Sequence, residues 1–136
     1  MGRVINSELP SKRRGQICCL ITTAIEDSNQ SELNHSSLND LIAFIILSLK
    51  EIEKTVIQTA IQWEKRGYWV KAESFRAEWA WVTRIEQSLN DKKGDSGWSE
   101  RPEELETIQT QLNGYKPNKT IKSGFWLGAF NRIKKK

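Results

Sequence analysis

Apolar residues recur at intervals of three and four through Leu38, Ile42, Ile45, Leu49, Ile52, Val56, Ala60 and Trp63. That spacing places them on one face of a helix and approaches a heptad seam. Ala43, Phe44, Ile46 and Leu47 fill the other faces of its first half, so this half is expected inside the fold and the second half at its surface. Ser36 or Ser37, followed by Asp40, resembles a capping box at its start. Before it, Ile17, Leu20, Ile21, Ala24 and Ile25 predict a first helix from about Ser11 to about Glu26, joined by the polar linker DSNQSELNHSS.

Gly67 interrupts the long pattern, and the sequence favours a turn there over one very long helix. Tyr68, Ala72, Phe75, Trp79, Val82, Ile85 and Leu89 then resume the three–four spacing and predict a third helix over about Tyr68 to Asn90. DKKGDSG reads as a loop. Ser99 and Pro102 are placed to start a fourth helix, with acids in its first turn, Leu105, Ile108 and Leu112 on its apolar face and Asn113-Gly114 at its end. FWLGAFNRIKKK suggests a closing helical turn around Phe125, Trp126, Phe130 and Ile133. The expected fold is an all-α bundle of about four helices with irregular basic ends. The expected division is a basic N-terminal arm over 1–16, a helical bundle over 17–113 and a basic aromatic segment over 114–136.

With 136 residues and 38% hydrophobic content the chain is long enough for one domain with a core. Leu41 to Leu49, its longest nearly uninterrupted apolar run, is too short to span a bilayer. Met1 to Gln16 is polar and basic, without the apolar stretch of a signal peptide, so no signal peptide is expected there.

The net charge of +4 hides a partition. Four basic residues against one acid leave residues 1–16 at +3, ten against sixteen leave 17–115 at −6, and seven against none leave 116–136 at +7. Basic ends on an acidic body suit a polyanion, because each neutralised phosphate releases counterions. An anionic membrane surface would attract the same ends, and solvated tails are the plainest alternative. The polyanion-binding candidates are Arg3, Lys12, Arg13, Arg14, Lys119, Lys122, Arg132, Lys134, Lys135 and Lys136.

WEKRGYWVKAESFRAEWAWVTR concentrates aromatic and basic residues. The two helical seams account for Trp63, Tyr68, Phe75 and Trp79 as core. Trp69 and Trp81 lie off them, with Arg76 and Arg84 at helical spacing. Trp and Arg are common interface anchors, so Trp69, Arg76, Trp81, Arg84 and Trp126 are candidates for docking on a protein. Packing beneath the fourth helix is the competing explanation of these aromatics.

Catalytic chemistry is sparse. His35 is the single histidine, and Glu32-x-x-His35 supplies only one half of a di-metal site. Cys18 and Cys19 lack metal-ligand spacing. Neighbouring Lys12, Arg13 and Arg14 would favour a thiolate, which keeps a thiol-based regulator open. Neither a Gly-rich phosphate loop nor a Ser-His-Asp set is present. The sequence therefore points to a non-enzymatic binding protein without metal or cofactor: an accessory subunit with a protein partner and possible nucleic-acid contact, or a pure protein–protein adaptor.

The opening GRVINSELPSKRR, the block WEKRGYWVKAESFRAEWAW and the closing FWLGAF resemble a small all-helical bacterial family with no assigned activity. The resemblance covers about half the chain in three patches. It implies a bacterial cytoplasmic setting and carries over no catalytic residue. Lys134 to Lys136 depart from that family's pattern.

Overall fold

The computed structural model describes residues 9–30 and 32–134, with side chains through 133. The described residues form six helices and no β-strand: α1 Pro10–Ser28, α2 His35–Lys65, α3 Trp69–Glu78, α4 Ala80–Asp91, α5 Glu104–Gln111 and α6 Ala129–Lys134. The all-α class is as the periodicity predicts.

Pro10 opens α1, where its missing N–H costs nothing, and Leu9 before it is extended. Residues 10–16 are thus helical, and the expected arm over 1–16 ends at Leu9 among the described residues. Ile17, Ile21, Ala24 and Ile25 are buried against α2. Contacts from Arg13 to Glu51 and from Arg14 to Thr55 and Thr59 fix the antiparallel register of the two helices.

Helix α2 is the axis of the fold and packs against α1, α3, α4 and α6. Asn34 caps it in place of Ser36 or Ser37, its Oδ1 accepting the Ser37 N–H at 2.8 Å. Asp40 is drawn elsewhere and accepts the Phe130 N–H at 3.1 Å. Leu41, Ile42, Ile45, Leu49 and Ile52 are fully buried. Each such side chain contributes about 1.5–3 kcal/mol of apolar burial.

The chain reverses at Gly67, whose φ of 83° is left-handed. Gly67 donates to Glu64 O and Tyr68 to Trp63 O, both at 2.9 Å. This is a Schellman closure, which satisfies two helix-end carbonyls and needs glycine at the left-handed position. The expected third helix is split at Trp79 into α3 and α4. No Gly or Pro marks the break. There Trp79 stacks on Trp81, with centroids 6.1 Å apart. Both halves run back along α2, joined by Glu64–Arg76, Glu53–Thr83 and Lys50–Glu86 contacts.

The fourth predicted helix begins later than expected, at Glu104. Trp98 is buried and donates from Nε1 to Leu89 O at 2.8 Å, which pins the preceding loop to the end of α4. Asn39 closes the same loop, accepting the Trp98 N–H at 2.8 Å and donating to Ser96 O at 2.9 Å. The C-terminal segment is also docked. Asp27 accepts from Ser123 Oγ at 2.6 Å, Gly124 N at 2.8 Å and Trp126 Nε1 at 2.9 Å. Trp126 and Ala129 join the core, and Phe125 meets Phe44 edge-on at 5.4 Å.

Candidate functional site

Two surfaces gather the residues singled out in the sequence. The first surrounds the outer face of α1. Arg13 and Arg132, from opposite ends of the chain, line one groove with Gln16, Leu20 and Phe44. Lys116 and Lys119 line a second, open groove with Gln16, Cys19, Leu20 and Tyr115. Gln16 and Leu20 border both, so the two grooves flank one stripe of α1. Lys122 lies beyond, beside Lys119, Glu26 and Asp27. Docking of the C-terminal segment through Asp27 is what brings these cations to α1. Burial works against the Asp27 carboxylate, but its three donors outweigh burial and hold its pKa below the ordinary carboxylate range.

Lys12, Lys119, Lys122 and Arg132 are exposed and pair with no acid among the described residues. Arg13 is engaged: it meets Glu51 at 3.0 Å, and Lys54 meets the same carboxylate at 3.1 Å. Those two cations hold the Glu51 pKa below its usual range. Arg3, Lys135 and Lys136, and the Lys134 side chain, lie outside the described residues.

Arg14 leaves the polyanion set, because its side chain is buried. Nη1 donates to Thr55 and Thr59, each at 3.3 Å, while the guanidinium lies 4.8 Å from the Phe75 ring centre and 5.4 Å from that of Trp79. Desolvation lowers its pKa against the weaker opposing effect of Glu78, and no carboxylate among the described residues comes within ion-pair distance. Two hydroxyls and two aromatic faces thus take the place of a counter-charge, joining α1, α2 and α3.

The second surface is the tip of the α2–α3 hairpin. Tyr68, Trp69 and Val70 follow the Gly67 turn and are 53%, 65% and 81% exposed. Lys65, Arg66 and Lys71 flank them and are exposed too. Below the tip, Trp63 meets Phe75 edge-on at 5.0 Å, Lys71 Nζ sits 4.7 Å from the Trp63 ring centre, and Arg76 binds Glu64 at 2.7 Å. Tyr68, expected in the core, is at the surface because it follows the turn rather than lying within α3.

Of the docking candidates, Trp69 and Arg84 are exposed and Arg76 is half-buried in its ion pair. Trp81 and Trp126 are corrections: both are buried, Trp81 beside Trp79 and Trp126 bonded to Asp27, so neither anchors a partner at the surface. Sequence reasoning missed Trp98. A tryptophan beside a Gly-Asp-Ser-Gly turn was the available signal of a loop anchored in the core.

Catalytic geometry is thin. No group of three or more His, Cys, Asp or Glu among the described residues could hold a metal ion. His35 opens α2 with Nε2 3.0 Å from Ser96 O, an ordinary loop contact. Burial, with the neighbouring Cys19, raises the Cys18 thiol pKa to about 12 and overrides the opposing effect of Arg14. The thiolate expected there is absent at neutral pH. Cys19 is half-buried and free, at the rim of the Lys116–Lys119 groove. No described helix is long and apolar enough to cross a membrane. No family model, curated protein or solved structure matches the chain, so the family resemblance rests on its three sequence patches alone.

Proposed function

We propose that this is a non-enzymatic binding protein, an accessory subunit of a larger assembly, which lays the basic surface around α1 on nucleic acid or an acidic partner. The observation that carries the reading is the meeting of Arg132 with Arg13, and of Lys116 and Lys119 with the same stripe of α1. Cations from both ends of the sequence border adjoining grooves, and most of them lack acidic partners. Described cations of both ends thus contribute to one region of field, which is what a polyanion reads.

The test is binding to duplex and single-stranded DNA across a salt series. The combined variant Lys119→Glu and Arg132→Glu is expected to bind more weakly and with a flatter salt dependence. Every phosphate left unneutralised by the variant lowers the slope of log K against log salt by about 0.9 on duplex DNA. Unchanged affinity and slope in that variant would refute the reading. A pure protein–protein adaptor is the second reading. It is favoured by the exposure of Trp69 and Arg84, and predicts complexes insensitive to salt.

A further inference from the structure

We infer that the tip of the α2–α3 hairpin is an interfacial anchor that seats Tyr68, Trp69 and Val70 in an anionic lipid surface. The argument begins with shape. The Gly67 turn is closed by two backbone bonds of 2.9 Å, so the apolar apex is a fixed feature of the hairpin. The three exposed residues are consecutive: Tyr68 precedes α3 in a non-helical conformation, and Trp69 and Val70 open it, projecting about 100° apart. Trp69 and Val70 therefore do not share one face of the helix. A protein pocket accepts one or two anchors from one direction. A fluid interface accepts side chains in every direction around a protruding tip.

Chemistry points the same way. Trp and Tyr have an apolar body and a polar edge, the combination enriched where bilayer meets water. Val70 is the most exposed large hydrophobic residue among those described. Lys65, Arg66 and Lys71 flank this apex along the chain and are exposed, Lys71 over the Trp63 ring, and none of them pairs with an acid among the described residues. Their long stems can lie along the apolar apex while their charges reach anionic headgroups. Glu64, the acid within the tip, is already neutralised by Arg76 at 2.7 Å, and the next acid along α3 is Glu73. The result is an apolar wedge flanked by three cations against one unpaired acid, complementary to a negatively charged, partly apolar surface.

This anchor goes beyond the polyanion reading and uses none of the residues on which that reading rests. The test is co-sedimentation of the full chain with vesicles of phosphatidylcholine alone, and with vesicles containing about a third phosphatidylserine. The wild-type protein is expected to sediment with the anionic vesicles and not with the neutral ones. Trp69→Ser with Val70→Asp should cut that partitioning on the order of tenfold. Lys65→Glu with Arg66→Glu should reduce it to a similar degree, on the order of tenfold. Circular dichroism checks that both variants remain folded, and their duplex DNA binding is expected to be unchanged. Anionic-vesicle binding that persists in both variants would overturn the proposal, since the basic surface around α1 would then be responsible. Absence of vesicle binding in the wild type would overturn it too. If, in that event, the tip substitutions abolished self-association on size exclusion, the tip would be covered by a second copy of the chain. A wild-type chain that binds anionic vesicles but no DNA, with tip variants that lose the vesicles, would defeat the polyanion reading and leave the anchor standing.

Discussion

The two halves of α2 carry the same three–four apolar rhythm and meet different surroundings. In the first half Leu41, Ile42, Ala43, Ile45 and Leu49 are fully enclosed, with Ile46 almost so. Here the C-terminal segment covers α2, Phe125 meeting Phe44 and the Phe130 N–H bonding Asp40. In the second half the seam residues Val56 and Ala60 are buried, yet Ile57 and Ile61 are 51% and 40% exposed. Beyond Ile61 the partners of α2 come from α3. Periodicity thus identifies which face of a helix seeks cover. How much of that face and its flanks is covered depends on which elements the topology delivers, and long-range docking decides it.

The largest expected effect sharpens this contrast. Leu49→Ala is expected to cost about 2–5 kcal/mol in denaturant melts, because the enclosed site cannot collapse fully around the cavity. Ile57→Ala, with the same type of truncation on the exposed flank, should cost less than about 0.5 kcal/mol. Equal losses at the two positions would erase the distinction between the halves.

A second pair compares two left-handed glycines, one at each end of α2. Gly97 has φ 101° and a Cβ built there would collide with the Asn39 side chain, whereas Gly67 has φ 83° and open space around it. Gly67→Ala bears the backbone strain alone, roughly 1–2 kcal/mol. Gly97→Ala bears that strain and must also displace the side chain that binds Trp98 and Ser96, for a total of about 2–4 kcal/mol. Thermal melts that rank Gly67→Ala as the more damaging change would show that the hairpin tip, not the 94–97 loop, is the tighter of the two.

Asp27 tests how the enclosed half is sealed. Asp27→Ala removes the acceptor for Ser123, Gly124 and Trp126 together, with an expected loss of about 1–3 kcal/mol. The pH dependence follows from its depressed pKa. The folded state binds the proton less readily than the unfolded one, so this stabilisation is present above the unfolded-state value of about 3.9 and is lost as pH falls through the folded value. Glu51, Glu64 and Glu104 are also depressed and steepen the acid decline in the wild type. Asp27→Ala should therefore show a shallower fall in melting temperature below about pH 4 than the wild type. Parallel curves would mean that the C-terminal segment is held by its aromatic contacts alone.

The fold was legible in the sequence wherever burial is set by local rhythm. The class, α1 and α2 with their faces, and the turn at Gly67 all follow from spacing and one glycine. The break at Trp79 and the late start of α5 did not, because no Gly or Pro breaks α3–α4 and the loop before α5 is held by Trp98, distant in sequence from its partner Asn39. The site was less legible still. Charge counting found the basic ends, but only the bond network of Asp27 shows that the C-terminal one is folded back onto α1. Arg14 and Arg13 are adjacent and chemically alike. One helical step of about 100° sends the first among Thr55, Thr59 and Phe75 and leaves the second facing solvent and Glu51. Likewise Trp69 and Trp81 are both off the seam, yet the first stands exposed at the hairpin tip and the second is buried beside Trp79.

The smallest expected effect lies at the hairpin tip. Trp69 and Val70 are among the most exposed large apolar residues described, and neither makes a hydrogen bond or ring contact through its side chain. Trp69→Ser or Val70→Ser should therefore leave the midpoint of denaturation within about 0.5 kcal/mol of the wild type. Trp63→Ala, six residues earlier, removes the ring that meets Phe75 and Lys71 and should cost several times more, about 2–4 kcal/mol. That ordering separates the stem, whose aromatics hold α3 to α2, from the apex, whose aromatics contribute little to folding. A loss above about 1 kcal/mol at Trp69 would place it among the residues that stabilise the hairpin. Its exposure would then no longer mark a surface kept for binding.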